Sequence, residues 1–120
     1  DGSLKAVQTM LSSLAREAWP GALVAASDMM ALGAMEAANR LGLKVPGELS
    51  VVGFDNIDLC RFCAPQLTSV GPRAEQMAHV AVEHMLAMLQ RGGMAAWGRY
   101  TVRIPVEWVG RASIAPPAQP

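Results

Sequence analysis

Two runs, Ala22-Leu23-Val24-Ala25-Ala26-Ser27-Asp28 and Ser50-Val51-Val52-Gly53-Phe54-Asp55-Asn56, decide the fold. Each is a short apolar segment that stops at a pair of polar residues. An apolar strand without alternation is the pattern of a strand covered on both faces, as in a parallel sheet. Residues 28–41 between them read as a helix, because Ser27 and Asp28 are good N-cap residues, Gly42 is a C-terminal stop and Pro46 lies beyond it. A strand, a helix and a strand in that order require parallel strands, so Ser27-Asp28 and Asp55-Asn56 fall on the same edge of the sheet.

Upstream of this unit, Leu4, Val7, Leu11, Leu14 and Ala18 recur at helical spacing and predict an amphipathic helix over 4–18, ended by Pro20-Gly21. Downstream, Leu67-Thr68-Ser69-Val70 reads as a brief strand. A third helix follows, with Pro72 in its first turn and Glu75 near its positive end. It presents Met77, Ala78, Ala81, Met85 and Met88 on one face, and Gly92-Gly93 stops it. Tyr100, Val102, Ile104, Val106 and Trp108 alternate with Arg99, Thr101, Arg103, Pro105 and Glu107. That alternation predicts an extended ribbon, with Pro105 at an edge or bend. The expected fold class is therefore α/β with a parallel sheet, a single domain over 1–114, and a mobile Pro-rich tail over 115–120.

Composition narrows the function classes. The 120 residues are 52% hydrophobic, and 10 basic side chains balance 10 acidic ones. Such a chain buries a core without a disulfide or metal staple. With no net charge and no Lys/Arg cluster, nothing here neutralises a row of phosphates, so these residues are not expected to bind DNA themselves. The apolar runs are far shorter than the ~20 residues of a membrane-spanning helix. No charged segment followed by an apolar one opens the chain, and no export signal of its own is expected. The first residue is Asp1 rather than Met, which leaves open a start inside a longer protein.

Cys60 and Cys63 form a lone C-x-x-C. A redox pair should open a helix after a strand, whereas this one runs into Ala64-Pro65. A zinc site needs four ligands, and His79 and His84 lie five apart, about 140° round a helix. The pair reads as two reduced cysteines used as small hydrophobes, with no metal site, and suits a reducing compartment.

Ligands of open parallel sheets bind beyond the carboxyl ends of the strands. Ser27, Asp28, Asp55 and Asn56 are the polar side chains expected there, able to hydrogen-bond a polyhydroxylated or heterocyclic ligand. The plainer reading is that Ser27 or Asp28 caps the helix and Asp55-Asn56 makes a turn. On the helix between, Met29 and Leu32 fall within about 40° of Glu36, the centre of the polar face. Exposed single hydrophobes are normal; the alternative is a subunit contact through Met29, Leu32 and Met35. No phosphate-binding glycine loop, dinucleotide fingerprint or nucleophile elbow occurs, and neither a catalytic residue nor a cofactor is expected.

The runs from Ala25 to Ala34, Leu41 to Pro46, Ser50 to Asn56 and Pro65 to Val70, with Arg111-Ala112-Ser113 near the end, resemble the C-terminal regulatory part of lactose-repressor (LacI/GalR) family transcription regulators. The resemblance covers nearly the whole chain in order and spacing. It implies the second lobe of a two-lobed, periplasmic-binding-protein-like core, with a three-layer α/β architecture. An N-terminal helix-turn-helix outside this chain would contact operator DNA. It further implies that Asp55 bonds a small sugar or related effector in the interlobe cleft. Ser27 stands where the family commonly has Asn, and Asp28 follows in the same motif. Some relatives carry a cleft-side Gln where Pro72 stands here. The helix bearing Leu32, and the loop of Phe62 and Cys63, resemble the family's dimer surface. The implied protein is a cytoplasmic homodimer or tetramer that is not an enzyme, whose effector shifts operator affinity through a coupling of 1 to 3 kcal/mol, roughly 5- to 150-fold. A periplasmic sugar-binding protein of a transport system shares the lobe architecture and is the alternative.

Overall fold

A computed structural model describes residues 2–90 and 101–116. It divides into two compact units, residues 1–71 with 108–120 and residues 72–107. The first unit carries α1 (Gly2–Ser12), β1 (Ala22–Val24), α2 (Asp28–Arg40), β2 (Ser50–Phe54) and β3 (Thr68–Gly71). The sheet order is β1-β2-β3-β4, with β4 at Glu107–Val109. β1 pairs parallel to β2 with Val24 opposite Val52, and β2 pairs parallel to β3 with Phe54 opposite Val70. Both polar strand ends therefore emerge on one sheet edge, as the connectivity requires.

Ser27 is the N-cap of α2, and its hydroxyl accepts from the Met30 amide at 3.3 Å. Gly42, in a left-handed conformation with φ 73, ends that helix. α2 packs against both β2 and α1. Ala31, Met35 and Ala38 join Leu11, Val51, Cys60 and Leu67 in the core. Gly33 lets α1 approach closely: a Cβ there would meet the Ser3 side chain.

Several expectations need correction. α1 stops at Ser12 rather than running to residue 18, and a short 3-10 turn covers Arg16–Ala18. The cause is Trp19, whose indole N–H donates to the Leu11 carbonyl at 2.8 Å and takes over the helix terminus. β1 is not covered on both faces. Lying at the sheet margin, it leaves Val24 80% exposed. The ribbon reaches strand geometry only at β4, just past Pro105, which has no N–H to give a ladder; Tyr100 lies outside the described residues. In the second unit, α3 (Ala74–Gln90) has no fully buried residue; on its Met-rich face Met77 and Met85 are exposed and Met88 is half-buried. The proposed stop at Gly92-Gly93 lies outside the described residues.

Candidate functional site

The chain leaves β2 through a turn that bulky residues avoid. Asp55 has φ 107 and Asn56 φ 53, the only positive-φ positions that are not glycine among the described residues. Such conformations cost about 1–3 kcal/mol each and persist only where the surroundings enforce them. Here every backbone N–H of the turn is held. Asp55 donates to the Val70 carbonyl at 2.9 Å, Asn56 to the Ser69 hydroxyl at 3.1 Å, and Ile57 to Asp28 Oδ2 at 2.8 Å. The Asp55 side chain is exposed, and no hydrogen bond or ion pair reaches its carboxylate from the described residues.

Asp28 has a task other than ligand contact. It is 0% exposed, and its second oxygen accepts from the Ser69 hydroxyl at 2.6 Å. Enclosed and with both oxygens engaged, it leaves no exposed acceptor at the sheet edge, and Ser27 rather than Asp28 caps α2. Gly53 makes room for it, since a Cβ there would collide with the carboxylate and with Leu67. Burial pushes the Cys60 thiol up from 9.0 to about 12, helped by its hydrogen bond to Asp28 and that residue's charge, with Arg111 opposing. A thiol so held stays protonated and is a poor nucleophile at neutral pH. Both cysteines are free, and no cluster of metal-ligating side chains occurs among the described residues.

Asn56 is fixed from the far end of the chain. Arg111 Nη2 donates to its Oδ1 at 2.7 Å, while Nη1 reaches the Leu67 carbonyl at 2.7 Å. The same residue's backbone N–H donates to Thr68 Oγ1 at 2.9 Å. Two residues on, the Ser113 hydroxyl donates to the Val51 carbonyl at 2.6 Å and accepts from the Thr68 amide at 2.8 Å, stitching β2 to β3. Ala115 N–H donates to Ser50 Oγ at 3.1 Å, so the first residue of the expected tail is anchored.

The periplasmic binding protein-like domain matches residues 2–114, and the relatives that share it here are LacI-type repressors. This chain belongs to the LacI/GalR branch of that family. It is 51% identical over 73 residues to the HTH-type transcriptional repressor CytR of Escherichia coli strain K12, across 60% of this chain and 20% of that protein. Against the lactose operon repressor of Rhizobium radiobacter, identity is 34% over 111 residues, 92% of this chain and 95% of that sequence. The chain thus spans about a fifth of CytR. The lac repressor dimer bound to operator and the anti-inducer ONPF superposes with a TM-score of 0.79 at 28% identity, over 93% of this chain and 37% of that one. A LacI family regulator from Enterococcus faecium with bound ribose gives 0.76 at 25%, over 96% and 40%. These relatives are named as transcription regulators, and no described helix of the LacI-type lobe is long and apolar enough to cross a membrane.

On this LacI-type lobe the suspected subunit residues divide. Met29 and Phe62 are well exposed, the latter at 81%. Leu32 and Cys63 are half-buried and line a groove of about 760 Å³ with Glu36, Val45 and Pro65. Met35 is the exception. Only 8% exposed, it joins the core, because α2 is covered on two sides and buries a wider stripe than one sheet contact needs, while its remaining surface lines the same groove. The sequence reading missed Ser69 as a holder of the turn and Arg111 as its side-chain clamp. For Arg111 the Arg-Ala-Ser run was the visible signal, without its geometry.

Proposed function

We propose that residues 1–114 form one wall of the effector cleft of a LacI-type transcriptional regulator, and that Asp55 anchors a small sugar- or nucleoside-like effector. The observation that carries this is the Asp55 carboxylate: exposed, without a partner among the described residues, and held on strained backbone that three hydrogen bonds enforce. A carboxylate accepts only, so it selects ligand hydroxyl or N–H donors. Ser27 supplies the complement, for its oxygen already accepts from Met30 and its O–H remains to donate. The Asn56 amide N–H groups add two donors beside it. A ribose-bound and an anti-inducer-bound relative support the ligand class. Met29, Leu32, Phe62 and Cys63 form the homodimer surface, and effector binding shifts two arrangements of the dimer that differ in operator affinity. Operator contacts belong to the part of such regulators that this chain does not cover, and the proposed regulator works in the cytoplasm, where operator DNA is.

The test uses the full-length regulator. A thermal-shift panel of pentoses, hexoses and nucleosides identifies a stabilising compound, which is then titrated by calorimetry into wild type and Asp55→Asn. Asn tolerates the left-handed backbone, so the variant alters the acceptor and not the turn. Hydrogen bonds to charged groups contribute about 1.5–3 kcal/mol, predicting affinity weakened about 10- to 150-fold. Equal affinities would overturn the anchoring role, and a panel without a stabilising compound would overturn the ligand class.

A further inference from the structure

The turn at Asp55-Asn56 has its three backbone donors held from its own sheet and from α2. Among the described residues, the hydrogen bond on a side chain of the turn comes from 55 residues away, from Arg111 to Asn56. Arg111 is itself fixed before it reaches Asn56, by its backbone N–H on Thr68 and by Nη1 on the Leu67 carbonyl. Its remaining guanidinium arm therefore has a defined position. Asn56 is confined on the other side, because its Cβ sits against Gly71, where any added side chain would collide with it. A donor at Oδ1 also settles which way round the amide lies, leaving its N–H groups for another partner.

We propose that Arg111 is a positioning residue for effector binding: acting through Asn56, it holds the strained turn that presents Asp55. The proposal rests on the reading of Asp55 as the effector anchor. The fork geometry is what does this. A guanidinium presents parallel donors at fixed spacing, and here two of them span from the Leu67 carbonyl to Asn56. A lysine keeps the charge but has a single donor atom, and it cannot hold both partners at once. Asp28 and Ser69 keep the backbone of the turn in place without Arg111, so its loss should loosen the turn rather than unfold the lobe.

Amide hydrogen exchange on this chain, followed by NMR, tests the clamp without any ligand. In Arg111→Lys, the Asn56 and Ile57 amides should exchange at least tenfold faster than in wild type. The Ala25 amide, bonded to Val52 in the sheet, should keep its rate. Asn56→Asp, whose carboxylate accepts a charge-assisted bond from the same guanidinium, should retain the protection. Unchanged exchange at Asn56 and Ile57, or equal acceleration at Ala25, would overturn the clamp. In the full-length regulator, Arg111→Lys should weaken by at least threefold the binding of whichever panel compound Asp55→Asn weakens, with unchanged stoichiometry. Unchanged affinity there overturns the positioning role. If instead Asp55→Asn binds like wild type while the exchange result holds, it is the anchor reading that fails and the clamp that stands.

Discussion

At the scale of single residues, the Asp28 carboxylate is the atom group on which most else depends. It fixes Ile57, Ser69 and, through Ser69, Asn56, and it sits against the Cys60 thiol. In Asp28→Asn one acceptor oxygen becomes an NH2 group that faces an N–H or O–H donor, leaving a buried mismatch. Such a loss costs about 1–3 kcal/mol, so urea unfolding should show a midpoint lowered accordingly. Cys60 gives a separate, pH-dependent outcome. Its thiol holds the proton to about pH 12 in the native chain, against 9.0 ordinarily. Above pH 9 the unfolded chain releases a proton that the native chain keeps, so this contribution to stability is complete below pH 9 and lost as pH rises towards 12. The limiting slope is about 1.4 kcal/mol per unit. Under reducing conditions, urea stability should fall by roughly 1 kcal/mol between pH 8 and pH 10. Cys60→Ala should remove that part of the fall.

At the scale of elements, α2, β2 and β3 were legible because each carries its own local signal: a cap and a glycine stop, a five-residue apolar run, a short strand between turns. β1 was legible as a strand but not in its burial, since an apolar run does not say which strand lies at the margin. The ribbon before β4 was over-read, because alternation identifies a face only where a neighbouring strand exists to pair with. Of the proposed site, the exposed position of Asp55 was legible from its place at a strand end. Asp28 looked the same in sequence, and only the packing of α2 over Gly53 turned it inward. The Arg111–Asn56 bond spans 55 residues and depends on the sheet order, which no local pattern encodes. Gly53 tests this interlock of elements. Adding one methyl in Gly53→Ala forces the Asp28 carboxylate and Leu67 apart from β2. Overpacking of this kind costs about 1–3 kcal/mol. Denaturant unfolding should show that loss, whereas Gly47→Ala, which meets only the Lys44 side chain at 3.7 Å, should leave stability nearly unchanged.

At the scale of the whole molecule, the same lobe presents two surfaces of opposite character. The strand-end edge is polar and strained. The α2 surface and the loop after β2 present Met29 and Phe62 to solvent beside the groove that Leu32 and Cys63 line. A large aromatic at 81% exposure contributes almost nothing to the fold of its own chain, so it separates assembly from stability better than Leu32, which packs against the core. Phe62→Glu should therefore leave the stability of the isolated lobe, from urea unfolding, within about 0.5 kcal/mol of wild type, the range of ordinary surface substitutions, and its effect in the full-length regulator is on assembly. It should also shift the sedimentation profile from dimer to monomer at micromolar concentration, because a carboxylate buried without a partner opposes association. Effector affinity of the resulting monomer should stay within about threefold of wild type, since Asp55 and its clamps all lie within one chain. Operator affinity should fall far more, because paired DNA-binding heads gain from an effective concentration that only the dimer supplies. An unchanged sedimentation profile would place the dimer contact elsewhere on the lobe.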